Sequence, residues 1–332
     1  VSYMQGFEEV LGHEEIIRHL QNAVAMNKVS HSYIFAGETG SGKKLLANLF
    51  AMTLQCEKRG IEPCLECASC KKALSKNQPD IINVTHEKPN TISIEDIREQ
   101  VIGDIQIKPY ASPYKIYIIN DAEKLTAQAQ NALLKTIEEP PSYGVVMLLV
   151  NNVSALLPTI LSRCVVLNLK AVGDNLIKTY LMERLHIPDY QADMCVSFAQ
   201  GNVGKAEQIA SSEEFNEMTE SALKILRHAE EMELNDLIDT IKSLTQEKNT
   251  IYEYLDLFLL WFRDVLLFKA TREVDSLVFR QEINYIKERA RKSSYEGLET
   301  IINAVETAKV RLNANVNFEL VMELLFLTIR EN

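Results

Sequence analysis

The chain has 332 residues, 46% of them hydrophobic and 24% charged, with 12 Gly and 9 Pro. That is the make-up of a globular protein of two or three domains, not of a disordered, collagenous or disulfide-stapled one. The longest apolar stretch, Leu257–Phe268, is broken by Arg263 and Asp264, far short of the roughly 18 residues that span a bilayer. Glu8, Glu9, Glu14 and Glu15 stand where a signal peptide needs apolar residues, so a cytoplasmic protein is expected. With 46 acidic against 35 basic residues and a net charge of −11, the chain does not suit DNA binding through bulk phosphate neutralisation. Any grip on nucleic acid is local or belongs to a partner.

Short apolar runs at Tyr33–Ala36, Ile81–Val84, Lys115–Ile119, Val145–Val150 and Cys164–Leu169 read as buried strands. Helical spacing occupies 44–55, 93–102 and 126–138 between them. Alternation of strand and helix predicts a parallel sheet covered on both faces, over residues 1–170. Beyond Lys170 the strand pattern stops. Residues 171–210 suit about three short helices, interrupted at Pro188 and Gly201, and 211–332 reads as long amphipathic helices over 213–231, 234–247, 250–270, 276–292, 295–312 and 316–330. The expected class is therefore α/β followed by all-α.

Gly37-Glu38-Thr39-Gly40-Ser41-Gly42-Lys43-Lys44 follows the first strand and opens a helix, the setting of a P-loop. The backbone around Gly37, Gly40 and Gly42 would wrap phosphates, and Lys43 would reach the β and γ groups of a nucleotide. Lys44 stands where a Ser or Thr hydroxyl would hold Mg²⁺, and an ammonium cannot ligate a metal. A second departure follows the third strand, where Asn120-Asp121 occupies the place of an Asp for Mg²⁺ and a Glu for the attacking water. Both metal-handling positions are altered, so ATP or ADP binding is possible but hydrolysis is not expected.

Cys56, Cys64, Cys67 and Cys70 form a C-x₇-C-x₂-C-x₂-C array. Four thiolates so close together close a tetrahedral Zn²⁺ site with no open position, which makes it structural rather than catalytic. Cys164 and Cys195 lie in apolar contexts and are expected in the core. Lys71, Lys72 and Lys76 beside the cysteines read as a solvated helix face. His13-Glu14-Glu15-Ile16-Ile17 lacks the second histidine of a zinc-protease motif, and no Ser–His–Asp set is present. Ser162-Arg163-Cys164 sits between a short helical stretch, Leu156–Leu161, and the last strand. Taken alone, Arg163 is an exposed arginine at the start of a strand.

The order of P-loop, four-cysteine insert, Asn131-Ala132-Leu133-Leu134-Lys135-Thr136-Ile137-Glu138-Glu139-Pro140-Pro141 and Ser162-Arg163-Cys164 resembles the AAA+ clamp-loader subunits of bacterial DNA polymerase III. The specific motifs lie within about 10–170. Lys44, Asn120 and Gly204, the last at the position of a nucleotide-sensing arginine, all depart from the tau/gamma motor and resemble the delta-prime branch; the end of the chain at 332 agrees. Lys205 stands next to the missing arginine. The resemblance implies an AAA+ core (1–170, zinc module 56–70), a helical lid (171–210) and an oligomerising helical collar (211–332). It implies tau/gamma ATPase and delta subunits as partners, with the sliding β clamp and primed DNA reached through the complex. It also implies that Arg163 enters the ATP site of a neighbouring subunit, and that Asn151 or Asn152 takes a sensor role. Two other readings stay open: a tau/gamma-type motor that tolerates Lys44 and Asn120, marked by turnover of the chain alone, and a zinc-stabilised nucleic-acid-binding protein, marked by salt-sensitive DNA affinity.

Overall fold

The structure, a computed structural model, describes residues 6–230, 232–246, 250–314 and 316–332. The chain divides into two compact units: residues up to Ile177 together with Gly201–Lys205, and Lys178–Gln200 together with Ala206–Asn332.

The first unit is built on a five-stranded parallel sheet. Its strands are β1 (Ser32–Ala36), β2 (Ile81–Asn83), β3 (Lys115–Ile119), β4 (Gly144–Val150) and β5 (Val165–Asn168), in the order β2-β3-β4-β1-β5. All five expected strands are present. The three inner strands β3, β4 and β1 are buried along their whole length, whereas the edge strands β2 and β5 are only partly so. This explains why the inner strands read as unbroken apolar runs: a parallel strand covered on both faces has no polar side to alternate with.

Alternate side chains of each strand enter separate apolar layers, as the pleat requires. On one face Tyr33, Phe35, Ile118 and Leu149 pack with Leu46, Leu49 and Phe50 of α2 (Lys43–Leu54). On the other, Ile34, Ile119, Leu148 and Val150 pack with Ala129, Leu133 and Ile137 of α5 (Ala127–Glu138). Thr126 starts α5 by accepting the Ala129 N–H at 3.1 Å. The predicted 93–102 helix begins as α4 (Ile94–Ile97), behind a reciprocal Ser93/Asp96 cap, and continues as a π-helical stretch over Arg98–Ile102. Helices α1 (Glu14–Ala25) and α3 (Ala68–Leu74) complete this part with the short α6 (Pro158–Leu161); α1 was not among the expected elements, whereas α3 carries Lys71 and Lys72 of the helix face expected beside the cysteines.

Three helices follow, α7 (Asp174–Arg184), α8 (Asp189–Ala199) and α9 (Val203–Ala210), with breaks at Pro188 and Gly201 as expected. The second unit continues with α10 (Glu213–His228), α11 (Leu234–Gln246), α12 (Ile251–Thr271), α13 (Ile283–Lys292), α14 (Tyr295–Asn313) and α15 (Phe318–Glu331). Positions 231 and 247, the ends of two predicted helices, lie outside the described residues. α12 is the hub: Leu255, Leu257, Phe258, Trp261, Phe262 and Val265 are all buried, so its near-continuous apolarity marks a core helix, not a membrane span. Among the described residues no helix is long and apolar enough to cross a membrane.

The helix expected from 276 starts only at Ile283. Leu277, Val278 and Phe279 are instead core residues, and the Phe279 N–H donates to the buried carboxylate of Asp264 at 2.7 Å rather than to a helical carbonyl. Burial raises the Asp264 pKa to about 6, against the opposing pull of that N–H. Arg227 clasps Glu282 through two bonds of 2.7 and 2.6 Å at the same corner.

Candidate functional site

The carboxyl ends of the parallel strands gather the P-loop and the residues that follow β3 and β4, the usual location of ligands in open α/β sheets. The loop after β1 carries left-handed glycines at Gly40 (φ 90°) and Gly42 (φ 95°) before α2 begins at Lys43. Gly37 N–H donates to Val150 O at 3.1 Å, tying the loop to the end of β4. The Lys43 ammonium donates to Gly37 O (2.5 Å), Glu38 O (2.8 Å) and Asn151 Oδ1 (2.8 Å). A lysine has three N–H donors, so all three are taken. Burial pulls the Lys43 pKa below the ordinary lysine range, opposed by Glu123, Asp121 and Glu38.

Asn151, directly after β4, is the centre of this network. Its Oδ1 also accepts from Thr39 Oγ1 at 3.2 Å, and its Nδ2 donates to Glu123 Oε1 at 2.5 Å. Asn152 instead caps its own turn by accepting the Ser154 N–H at 2.9 Å. Of the two asparagines, only Asn151 touches the P-loop lysine. Glu123, which sequence reasoning did not single out, is reached because Asp121 adopts a left-handed conformation (φ 49°) and starts a 3-10 turn over Ala122–Lys124. Asp121 itself is exposed and paired with Lys124 at 3.1 Å. Lys44 is exposed, with only its carbonyl engaged, by Asn48 at 2.6 Å.

Three further contacts hold the loop. His13 Nε2 lies 3.2 Å from Ser41 O; a carbonyl can only accept, so this nitrogen carries the proton. Burial lowers the His13 pKa, consistent with a neutral ring. From the other side, Gly204 N–H donates to Gly40 O at 3.0 Å and Asn202 Nδ2 to Thr39 O at 2.8 Å. A Cβ at Gly204 would lie 2.8 Å from both Cα and O of Gly40. A side chain at position 204 is therefore sterically excluded in this arrangement. Lys205 contributes its backbone N–H to Asn202 Oδ1 at 3.0 Å.

Cys56, Cys64, Cys67 and Cys70 converge, all four Sγ atoms lying within 4.8 Å of one another. Tetrahedral zinc with ~2.3 Å Zn–S bonds sets sulfur–sulfur edges of about 3.8 Å, so the cluster fits a metal after small adjustment. Cys67 N–H donates to Cys64 Sγ at 3.4 Å and Cys70 N–H to Cys67 Sγ at 3.3 Å, contacts that favour sulfur in its anionic form. Burial works against ionisation of Cys64, but the N–H groups of Cys67 and Glu66 bring its pKa down to about 6. Cys70, buried, is shifted upward, first by desolvation. Lys71, Lys72 and Lys76 are exposed. Cys195 is buried and Cys164 partly so; burial raises both thiols to about 11.

Arg163 stands after α6 and before β5, 41% exposed. Its Nε contacts Glu138 Oε1 at 2.7 Å, and its NH1 group donates to Thr159 O (3.0 Å) and Ser162 Oγ (3.1 Å). Among the described residues its other terminal nitrogen, NH2, makes no hydrogen bond.

Residues 12–173 match the family described as DNA polymerase III, delta subunit, and residues 213–331 its C-terminal counterpart. The DNA polymerase III subunit delta′ of Bacillus subtilis is 32% identical over 95% of each chain. The chain belongs to the delta-prime family of clamp-loader subunits. The tau subunit of the same bacterium is 29% identical over 84% of this chain, which spans 53% of that longer relative. A gamma subunit-related protein of Thermotoga maritima aligns over 95% of this chain and 98% of its own, with 17% identity and a TM-score of 0.44. Lys44, Asn120 and Gly204 are therefore features of a delta-prime family member.

Proposed function

We propose that this chain is the non-hydrolysing delta-prime component of a clamp loader, and that it lends Arg163 to the ATP site of an adjacent tau/gamma subunit. The observation that carries this reading is the contrast between the residues that follow β1 and β3 and the arginine that precedes β5. The chain's own metal-handling positions hold Lys44 and Asn120, while Arg163 remains half-exposed with a donor group unspent. An arginine supplied in trans stabilises charge on a transferring phosphoryl group and is typically worth about 10³–10⁵ in rate. Within this reading Asn151 takes the sensor position, and the backbone of Gly37–Lys43 retains the shape to hold ADP or ATP without turning it over.

The four cysteines hold Zn²⁺, which supplies a structural crosslink and no chemistry. The partners are tau/gamma and delta subunits, the chain works in the cytoplasm, and the complex places the β clamp on primed DNA. Residues 1–170, 171–210 and 211–332 serve as core, lid and collar. Phosphate release is the test: the purified chain alone should show none above background, and mixing it with tau/gamma, delta, clamp and primed DNA should restore it. Turnover by the chain alone, abolished by Lys43→Ala, would refute the reading and favour a motor subunit.

A further inference from the structure

Glu138 breaks a local rule. It is the last residue of α5 and is followed by Glu139, so two carboxylates stand at the negative end of a helix dipole, where cations are favoured. An acid kept at such a place is expected to have a compensating partner. Its carboxylate meets Arg163 Nε at 2.7 Å, although both side chains are nearly half exposed, at 45% and 41%. An exposed pair of this kind contributes little to folding, so the contact is better explained by what it does to the guanidinium.

A guanidinium is planar with five N–H donors in a fixed fork. Glu138 forms an ion pair at Nε, and Thr159 O and Ser162 Oγ accept the two donors on NH1. Three anchors on two nitrogens set both the plane and the rotation of the group. The two NH2 donors are left over, on a cation whose charge is only partly answered by a solvated carboxylate. Such an arrangement suits an incoming phosphate oxygen: it engages NH2 without first breaking the contacts that hold the group in place.

We propose that Glu138 is the positioning residue for Arg163, pre-orienting its guanidinium so that NH2 faces a phosphate presented by another subunit. This rests on the reading of Arg163 as an arginine acting in trans. Glu138 itself touches no nucleotide. Its charge is secondary to its acceptor oxygen, so an amide at the same place should keep the orientation.

The test uses the clamp-loader assembly formed with tau/gamma and delta subunits, and measures ATP turnover stimulated by clamp and primed DNA. Arg163→Ala defines the share of kcat that depends on the arginine. Glu138→Ala should remove roughly half or more of that share, since a misplaced group can lose up to ~10²-fold at its own site. KM for ATP should stay within about twofold, because the loss is realised in the transition state. Glu138→Gln should restore most of the turnover, and Glu138→Ala should have no further effect once Arg163 is Ala. Full kcat in Glu138→Ala, with Arg163→Ala still defective, overturns the proposal and leaves the trans arginine standing. Loss of kcat by Glu138→Ala in the Arg163→Ala background overturns it too, by placing Glu138 elsewhere. A silent Arg163→Ala overturns the trans reading and this proposal with it. Should Glu138→Ala fold poorly, Glu138→Gln in the two Arg163 backgrounds carries the same comparison.

Discussion

Two cations flank the same sheet, Lys43 after β1 and Arg163 before β5, and they are held in opposite ways. Lys43 donates to two carbonyls of its own loop and to Asn151, and has no N–H left. Arg163 is held by an ion pair to Glu138 and hydrogen bonds to Thr159 and Ser162, and its NH2 makes no hydrogen bond. The first site is satisfied from within; the second is set up for something outside the chain. A P-loop that has lost its metal partners can settle as a self-bonded turn. An arginine that serves a neighbour has to keep both its orientation and its spare donors.

The largest effect expected concerns the four-cysteine module, away from both cations. Structural zinc contributes roughly 10–16 kcal/mol of apparent binding energy in small zinc modules, so one Zn²⁺ per chain should survive purification without chelator. Stripping it should raise amide exchange first across residues 56–76, while protection around Gly37–Lys43 and Glu138–Arg163 changes little. Four titratable thiols and a zinc content far below one per chain would count against the assignment of the metal.

Next in size is Arg163 itself. In the assembled complex Arg163→Ala should remove roughly a third to a half of the stimulated ATP turnover, because a loss of up to ~10³–10⁵ at one site is diluted by sites that do not borrow this arginine. Arg163→Lys should be equally defective, since an ammonium cannot present the planar fork. Normal clamp loading and ATPase with either variant would erase the distinction between the two cations.

Gly204→Ala tests the closure of the inner site. Its Cβ would press on Gly40 Cα and O at 2.8 Å, and overpacking of this kind typically costs about 1–3 kcal/mol. The urea midpoint should fall with an unchanged slope, while the Arg163-dependent turnover of the assembly stays intact. Wild-type stability would mean that the segment at Gly201–Lys205 can move off the loop without penalty. The smallest effect is expected at Lys43: Lys43→Ala should leave assembled turnover within about twofold, because an engaged lysine without metal partners contributes nothing to a transition state. A severe defect would show that the inner site does work with nucleotide after all.

Much of the fold was legible because the responsible forces act locally. Apolar runs such as Lys115–Ile119 must be strands in a doubly covered sheet, and glycines ahead of Lys43 must turn the chain into a helix. The cysteine spacing likewise predicted a convergence that the structure contains. Where the reading slipped, a distant group had intervened. Leu277–Phe279 carries helical spacing, yet burial of these side chains and the Asp264 carboxylate draw Phe279 out of helix.

The amino-acid sequence by itself determined the parallel sheet, the helical second half, the position of the P-loop, the altered metal residues Lys44 and Asn120, and the four-cysteine set. Only the tertiary structure decided which side chains meet across the sheet's edge. Glu123 joins Asn151 across 28 positions, Lys43 reaches Asn151 across 108, and Asn202 reaches Thr39 across 163. Glu138 and Arg163 come together because α5 ends beside the turn that precedes β5. Periodicity reports which face of an element is buried, since burial repeats with the backbone. It carries no record of polar pairing at strand ends, where partners are set by sheet order and loop geometry, and that is where this chain keeps its chemistry.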